Sequence, residues 1–310
     1  MENKRTLGVR IVGGLLRLQG SLPLRWHYRL AGFLAWLVGK VFRYRNSVIL
    51  INLARCFPEK TYEEIVQIRD QFYRHFARTI AEMVWFGACR GKKGRERLRR
   101  SHIVEIANVA EMNRVIDQAG QFVILQSHTG NWELMGGIYE YAYSEPAHLS
   151  PDAFAVTYMA LHSKLWDQVM AENRAAPVCD LGFEGYVETS SVLRFVLSRR
   201  GRKQYAYVFN TDQYPYIGNG ARTEVDFMGQ KTVTMTGAAA LASKLDMAVF
   251  YLRFECREEG GYRMTFVPME EHAGGKDPAA IMQAYYRLLE EDLRKQPWNY
   301  LWTHKRWKKV

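Results

Sequence analysis

The feature that most narrows the fold is a change of rhythm near residue 100, where short apolar runs begin to alternate with helical patterns. Phe122 to Leu125 reads as a buried strand, and a helix opens near Asn131. Phe154 to Thr157 reads as a second strand, followed by a helix from about His162 to Arg174. Ser190 to Ser198 looks helical, Tyr205 to Phe209 extended, and Thr223 to Phe227 alternates like a strand. Thr236 to Lys244 is a small-residue helix. Val249 to Glu255 and Tyr262 to Val267 flank Glu259-Gly260-Gly261 as a hairpin, and Ala279 to Lys295 is a last amphipathic helix. Strands alternating with helices predict an α/β fold with a largely parallel, helix-covered sheet. Active sites of such sheets lie at the C-terminal ends of the strands.

Residues 1–100 read as a separate N-terminal helical, membrane-associating region, and residues 101–310 as the α/β domain. Thr61 and Glu64 form a capping box for a helix over Tyr62 to Cys89, with Ile65, Ile68, Phe72, Phe76, Ile80 and Met83 at helical spacing. Between Leu22 and Phe42 the uninterrupted apolar part runs only from Leu30 to Val38, short of the ~20 residues a membrane span needs. Arg25, Arg29, Lys40, Arg43 and Arg45 flank it, which predicts an interfacial helix whose cations meet anionic headgroups. Two alternatives stay open: an amphipathic helix packed on the soluble domain, and a spanning anchor that includes Arg10 to Leu18. Arg90 to Arg100 carries seven basic residues and one acid; it reads as a solvated linker, or as a patch for phosphates or an acidic protein.

The net charge of +11 points to nucleic acid, anionic lipid or an acidic carrier without choosing among them. No recognised nucleic-acid module accompanies it, so nucleic acid is not expected as a partner. Cys56, Cys89, Cys179 and Cys256 are widely spaced, which argues against a disulfide framework or a thiolate metal site and for a reducing, cytoplasm-facing location. A nucleophile elbow, a Walker A loop and a strand-following G-x-G-x-x-G are absent from the sequence, which sets aside serine hydrolase, P-loop and dinucleotide chemistry. No cofactor is expected, and no metal.

The chemistry concentrates in Phe122-Val-Ile-Leu-Gln-Ser-His-Thr-Gly-Asn-Trp-Glu133. A strand ends, His128 follows, a glycine turn reverses the chain, and Asn131 caps a helix with Glu133 in its first turn. Five residues is the wrong separation for one helix face, but with a turn between them imidazole and carboxylate can fold together. Such a pair suits deprotonation of a hydroxyl: histidine takes the proton and the carboxylate holds its other nitrogen. Backbone N–H groups at the helix start are candidates for an oxyanion. The plain alternative is a hydrogen-bonded loop histidine and an ordinary first-turn acid.

The stretch SHTGNWE resembles the signature of the bacterial lipid A biosynthesis acyltransferases. The resemblance spans most of the chain: NLARCFPE at Asn52 to Glu59, the long helix with Phe76 and Glu82, Asp212-Gln213-Tyr214, Val225-Asp-Phe-Met-Gly229, the Thr236-Gly237 helix and the terminal YLWTHKRWK. It implies a glycerophosphate-acyltransferase-like fold at the cytoplasmic face of the Gram-negative inner membrane. It also implies acyl carrier protein thioester as donor and a hydroxyl of a lipid A precursor or related glycolipid as acceptor. On that mapping His128 is the base, Glu133 its partner, and Asn131 and Trp132 shape the turn. The chain departs from the family pattern where relatives carry an arginine in a Tyr-Arg-Pro-like run; Thr157-Tyr158-Met159-Ala160-Leu161 stands there instead. The loop Asn210 to Gly220 is also unusually rich in tyrosine and proline.

Asp212 and Gln213 are expected to bond the acceptor or orient the loop, with local turn contacts as the alternative. Lys231 and Thr234, ahead of the small-residue helix, are expected to help bind substrate at its N-terminus, with simple capping by Thr234 or Thr236 as the alternative. Arg306, Lys308 and Lys309 beside Trp302 and Trp307 read as headgroup contacts or a solvated tail. Two other classes remain: an acyltransferase for another amphipathic acceptor (glycolipid, aminolipid or lysophospholipid), and a non-catalytic lipid or carrier binder of the same fold.

Overall fold

The computed structural model describes residues 6–202, 204–215 and 221–307. Among the described residues five α-helices lead: α1 (Leu7–Gly20), α2 (Leu24–Trp36), α3 (Asn46–Cys56), α4 (Tyr62–Phe86) and α5 (Gly91–Ser101). Then come β1 (Val104–Ile106), α6 (Val109–Gln118), β2 (Gln121–Gln126), β3 (Phe154–Tyr158), α7 (Lys164–Arg174), β4 (Tyr186–Glu188), α8 (Val192–Ser198) and β5 (Tyr205–Asn210). A hairpin of β6 (Arg222–Phe227) and β7 (Gln230–Met235) precedes α9 (Gly237–Leu245), β8 (Ala248–Cys256), β9 (Tyr262–Glu270) and α10 (Pro278–Lys295).

Seven strands form one sheet in the order β1-β9-β8-β2-β5-β3-β4. Every neighbouring pair is parallel except β8–β9, the hairpin. The fold is therefore mixed α/β with a mostly parallel central sheet. Strand β2 shows why the sheet must be covered on both faces. Phe122 and Ile124 point into one core with α5 and α6, while Val123 and Leu125 point into another with α3, α9 and α10. All four are fully buried, as the continuous apolar run of a central parallel strand requires. The strand read at Thr223 to Phe227 stands apart, pairing with β7 in a separate two-stranded sheet.

The Thr61–Glu64 capping box forms as the sequence predicts, both of its bonds present. The basic run from Arg90 is a helix rather than a linker: Leu98 is buried, Arg97 donates to the Gly20 and Leu22 carbonyls, and Arg95 pairs with Asp180. Many of its charges are thus spent on the protein itself. Among the described residues no helix is long and apolar enough to cross a membrane, α1 included. Instead α1 exposes Leu7, Ile11, Leu15, Leu18 and, just beyond it, Leu22, and α2 exposes Trp26, Leu30, Phe33 and Trp36. The terminal segment is also not a solvated tail: Trp302 and Arg306 are fully buried. Lys308 and Lys309 lie outside the described residues, as do residues 216–220 of the tyrosine-rich loop.

Candidate functional site

Strands β2, β3 and β5 end on the same edge of the sheet, and a cavity of about 520 Å³ opens there. His128 lines it, two residues past the end of β2. Gly130 makes the turn possible. Its φ is +59°, and a Cβ there would stand 2.5 Å from the Phe254 ring, so only glycine fits. The turn is pinned at both polar groups of Gly130. Its N–H donates to Asn299 Oδ1 at 2.7 Å, and its carbonyl accepts from His75 Nε2 at 3.0 Å. His75 therefore carries its proton on Nε2. Burial depresses that imidazole to about 4, and the nearby Arg78 cation adds to the effect.

His128 Nδ1 lies 2.7 Å from Asp212 Oδ1, and its Nε2 faces the Gln213 amide nitrogen at 3.3 Å. The two contacts select one tautomer: Nδ1–H donates to the carboxylate, leaving the Nε2 lone pair toward the cavity. Burial alone would push the Asp212 carboxyl up. The facing His128 and backbone N–H donors outweigh that and hold it below its usual value. The Trp132 ring meets the imidazole edge-on with centroids 4.9 Å apart and walls the same cavity.

Glu133 does not take the place expected for it beside His128. Its carboxylate is held by Arg174, with Nε at 2.5 Å and Nη2 at 2.7 Å, and by Trp132 Nε1 at 3.1 Å. The cause lies in the turn: the element it opens is a 3₁₀ helix over Trp132–Glu140, which carries Glu133 toward α7. Arg174 is not legible in the sequence as a site residue, because it ends a helix far from the signature. Burial works against its charge, but Glu133 and the Tyr186 hydroxyl, which it also contacts, overcome this and keep it protonated. An arginine thus lines the cavity, supplied by α7 rather than by the stretch after β3.

Of the other expected binding residues, Trp132 and Gln213 line the cavity. Asp212 is buried behind His128. Asn131 is fully buried and faces α4: its Oδ1 accepts from the Glu133 N–H, and its Nδ2 donates to Glu82 Oε2. The Gly130 and Glu133 N–H groups, candidates for an oxyanion, are both engaged within the protein. Lys231 sits on the exposed β6–β7 hairpin, away from the cavity lining, with its Nζ 3.0 Å from Glu224 Oε1. Thr234 is buried and meets the Tyr286 hydroxyl at 3.0 Å, and Thr236 stands at the N-cap of α9 without a capping bond from its side chain. Tyr286 in turn donates to the Thr211 carbonyl, next to Asp212.

The arrangement combines a tautomer-fixed imidazole, a buried anion behind it, and N–H donors on an otherwise largely apolar cavity that includes Met135, Val156, Met159, Leu161 and Phe183. It can deprotonate a hydroxyl beside an aliphatic chain. No curated protein matches the sequence significantly. Residues 2–309, nearly the whole chain, match the bacterial lipid A biosynthesis acyltransferase family, and to that family the chain belongs.

Proposed function

We propose that this acyltransferase moves a fatty acyl chain from acyl carrier protein thioester to a hydroxyl of a lipid A precursor or related glycolipid. The observation that carries the mechanism is the His128–Asp212 contact at the mouth of an apolar cavity. In the reaction the acceptor hydroxyl displaces the Gln213 amide from His128 Nε2 and gives its proton to that nitrogen. The oxygen attacks the thioester carbonyl, the C–S bond breaks, and the imidazolium returns the proton to the departing thiolate. Asp212 keeps the ring in the productive tautomer and steadies the imidazolium. Gln213 and Arg174 bring N–H donors to the cavity where negative charge develops on the carbonyl oxygen. Glu133 holds Arg174 in place rather than acting on the histidine.

The acceptor is a membrane lipid, which gives the exposed apolar stripes of α1 and α2 a purpose. Trp26, Leu30, Phe33 and Trp36 would enter the interfacial zone of the cytoplasmic leaflet, with Arg10, Arg25, Arg29 and Arg43 among anionic headgroups. Helix α1 also packs against α7, and the stretch Met159–His162 just before α7 lines the cavity mouth. A protein lying on α1 and α2 therefore presents that mouth near the bilayer surface.

Purified protein given acyl carrier protein thioester and a tetra-acylated lipid A precursor should form the acylated product, detected by mass spectrometry. His128→Ala should lose most of that rate. Full activity in His128→Ala would refute the mechanism, and transfer only to a different glycolipid would move the acceptor.

A further inference from the structure

Glu82 on α4 stands outside the cavity, and the acyl-transfer steps leave it no role. Its side chain is nevertheless fully buried, and a buried carboxylate is unfavourable unless it is paired and fully hydrogen-bonded. Three donors from three parts of the fold meet it. Arg78 Nε, one turn earlier on α4, reaches Oε1 at 2.7 Å. The Tyr262 hydroxyl, at the start of β9, and Asn131 Nδ2 both reach Oε2, at 2.7 and 2.9 Å. Arg78 extends the cluster to α2, where its Nη2 donates to the Tyr28 hydroxyl at 3.2 Å.

The consequence lies in the Asn131 amide, whose two ends are chemically opposite. With its NH2 turned to the Glu82 anion at 2.9 Å and, less closely, to the Thr79 carbonyl at 3.3 Å, its oxygen is left facing the Glu133 N–H, which it caps at 3.3 Å. Turned the other way, the amide would set its oxygen against a carboxylate and its NH2 against an N–H donor. Both contacts would then be repulsive, and the turn from His128 to Glu133 would lose its inner support.

We propose that Glu82 is a positioning residue for the reaction at His128, its anion fixing the direction of the Asn131 amide and through it the turn that carries His128, Trp132 and Glu133. The kinetic part of this proposal rests on the acyl-transfer reading of the site.

An exchange of polarity tests it. Asn131→Asp places two carboxylates face to face and should lower kcat about 100-fold, and Glu82→Gln, which removes the anion and leaves the longer bond to the Thr79 carbonyl to hold the amide, about 10-fold. In the double variant Glu82→Gln/Asn131→Asp the glutamine amide donates to the new carboxylate, and kcat should recover at least 10-fold over Asn131→Asp alone. A merely structural carboxylate gives no such rescue. Wild-type kcat in Glu82→Gln, or a double variant no better than Asn131→Asp, overturns the proposal. If Glu82→Gln does not fold, Arg78→Met/Glu82→Leu removes both members of the ion pair together. It should fold but melt below wild type, because the buried Tyr262 hydroxyl loses its acceptor, with kcat down about 10-fold, and an unchanged kcat overturns the proposal equally. Amide hydrogen exchange across residues 128–134, measured without substrate, should quicken about 10-fold in the Glu82 variants and slow again in the exchanged pair. Unchanged exchange in them refutes the positioning even if the wild-type protein transfers no acyl group, a result that would instead refute the acyl-transfer reading.

Discussion

His128 and Asp212 are each the second residue beyond a strand, on parallel neighbours whose final residues, Gln126 and Asn210, stand opposite one another. The 2.7 Å contact between two residues 84 apart in sequence is thus fixed by the register of β2 against β5. Asp212→Asn should therefore lower kcat by about 10²- to 10⁴-fold, because an amide no longer enforces the Nδ1–H tautomer. The fold should survive. The second carboxylate oxygen of Asp212 is buried without a hydrogen-bond partner among the described residues, and a neutral amide is easier to bury. Steady-state kinetics beside a thermal melt checks both halves of the claim.

Glu133→Gln separates the two carboxylates. It weakens the clamp on Arg174 but leaves the His128–Asp212 bond untouched, so its loss in kcat should be smaller, about 10-fold. Arg174→Lys should behave like it despite keeping the charge, since lysine cannot make the two-pronged contact. A Glu133→Gln loss as large as that of Asp212→Asn would return the role of histidine partner to Glu133.

The buried His75 predicts an acid weakness. Its imidazole is depressed to about 4 in the folded protein, whereas an unfolded histidine titrates near its ordinary value of 6.5. Below pH 6.5 the unfolded chain binds the proton more readily, so stability is lost as pH falls from 6.5 toward 4. The loss is on the order of 3 kcal/mol at its fullest. His75→Gln can still donate to the Gly130 carbonyl and has nothing to titrate. Denaturant melts at pH 7 and pH 5 should show a smaller difference in this variant than in wild type; an equal difference would remove His75 from the account.

How much of this the sequence shows depends on distance along the chain. The strand, His128, the glycine turn and the Asn131 cap sit within twelve residues, and local rules suffice to read them. The partner of His128 is another matter. Asp212 reaches it only because β5, not β3, lies beside β2, and strand order is invisible in one sequence. Arg174 depends on the same long-range packing, since α7 must cross toward the 3₁₀ helix before its last residue can meet Glu133. Helix α5 is hidden in the sequence for a different reason. Gly91 and Gly94 lower its helical propensity and its like charges repel one another, and tertiary bonds from Arg95, Arg97 and Arg99 to carbonyls of neighbouring elements hold it.

Gly130→Ala should damage the site without touching a reacting group. The left-handed backbone is strained for alanine, and the new methyl meets the buried Phe254 ring, which cannot easily retreat. We expect a loss of about 1–3 kcal/mol in stability together with a marked fall in kcat. A variant that melts and turns over like wild type would mean that the turn is not the rigid device described.

The proposed docking of α1 and α2 on a membrane gives a prediction in which charge and apolar surface separate. Trp26, Phe33 and Trp36 are each about half exposed and face solvent along one side of α2. Replacing all three by serine removes apolar area worth about 2–4 kcal/mol on transfer to the interface, or roughly 100-fold in vesicle binding. That loss should be similar on neutral and anionic vesicles and insensitive to salt. Arg25→Gln and Arg29→Gln should weaken binding by about fivefold each, but only on anionic vesicles and less at high ionic strength. Sedimentation with phosphatidylglycerol and phosphatidylcholine vesicles at two salt concentrations resolves the two contributions. Full binding by the triple serine variant would place the membrane contact elsewhere on the protein.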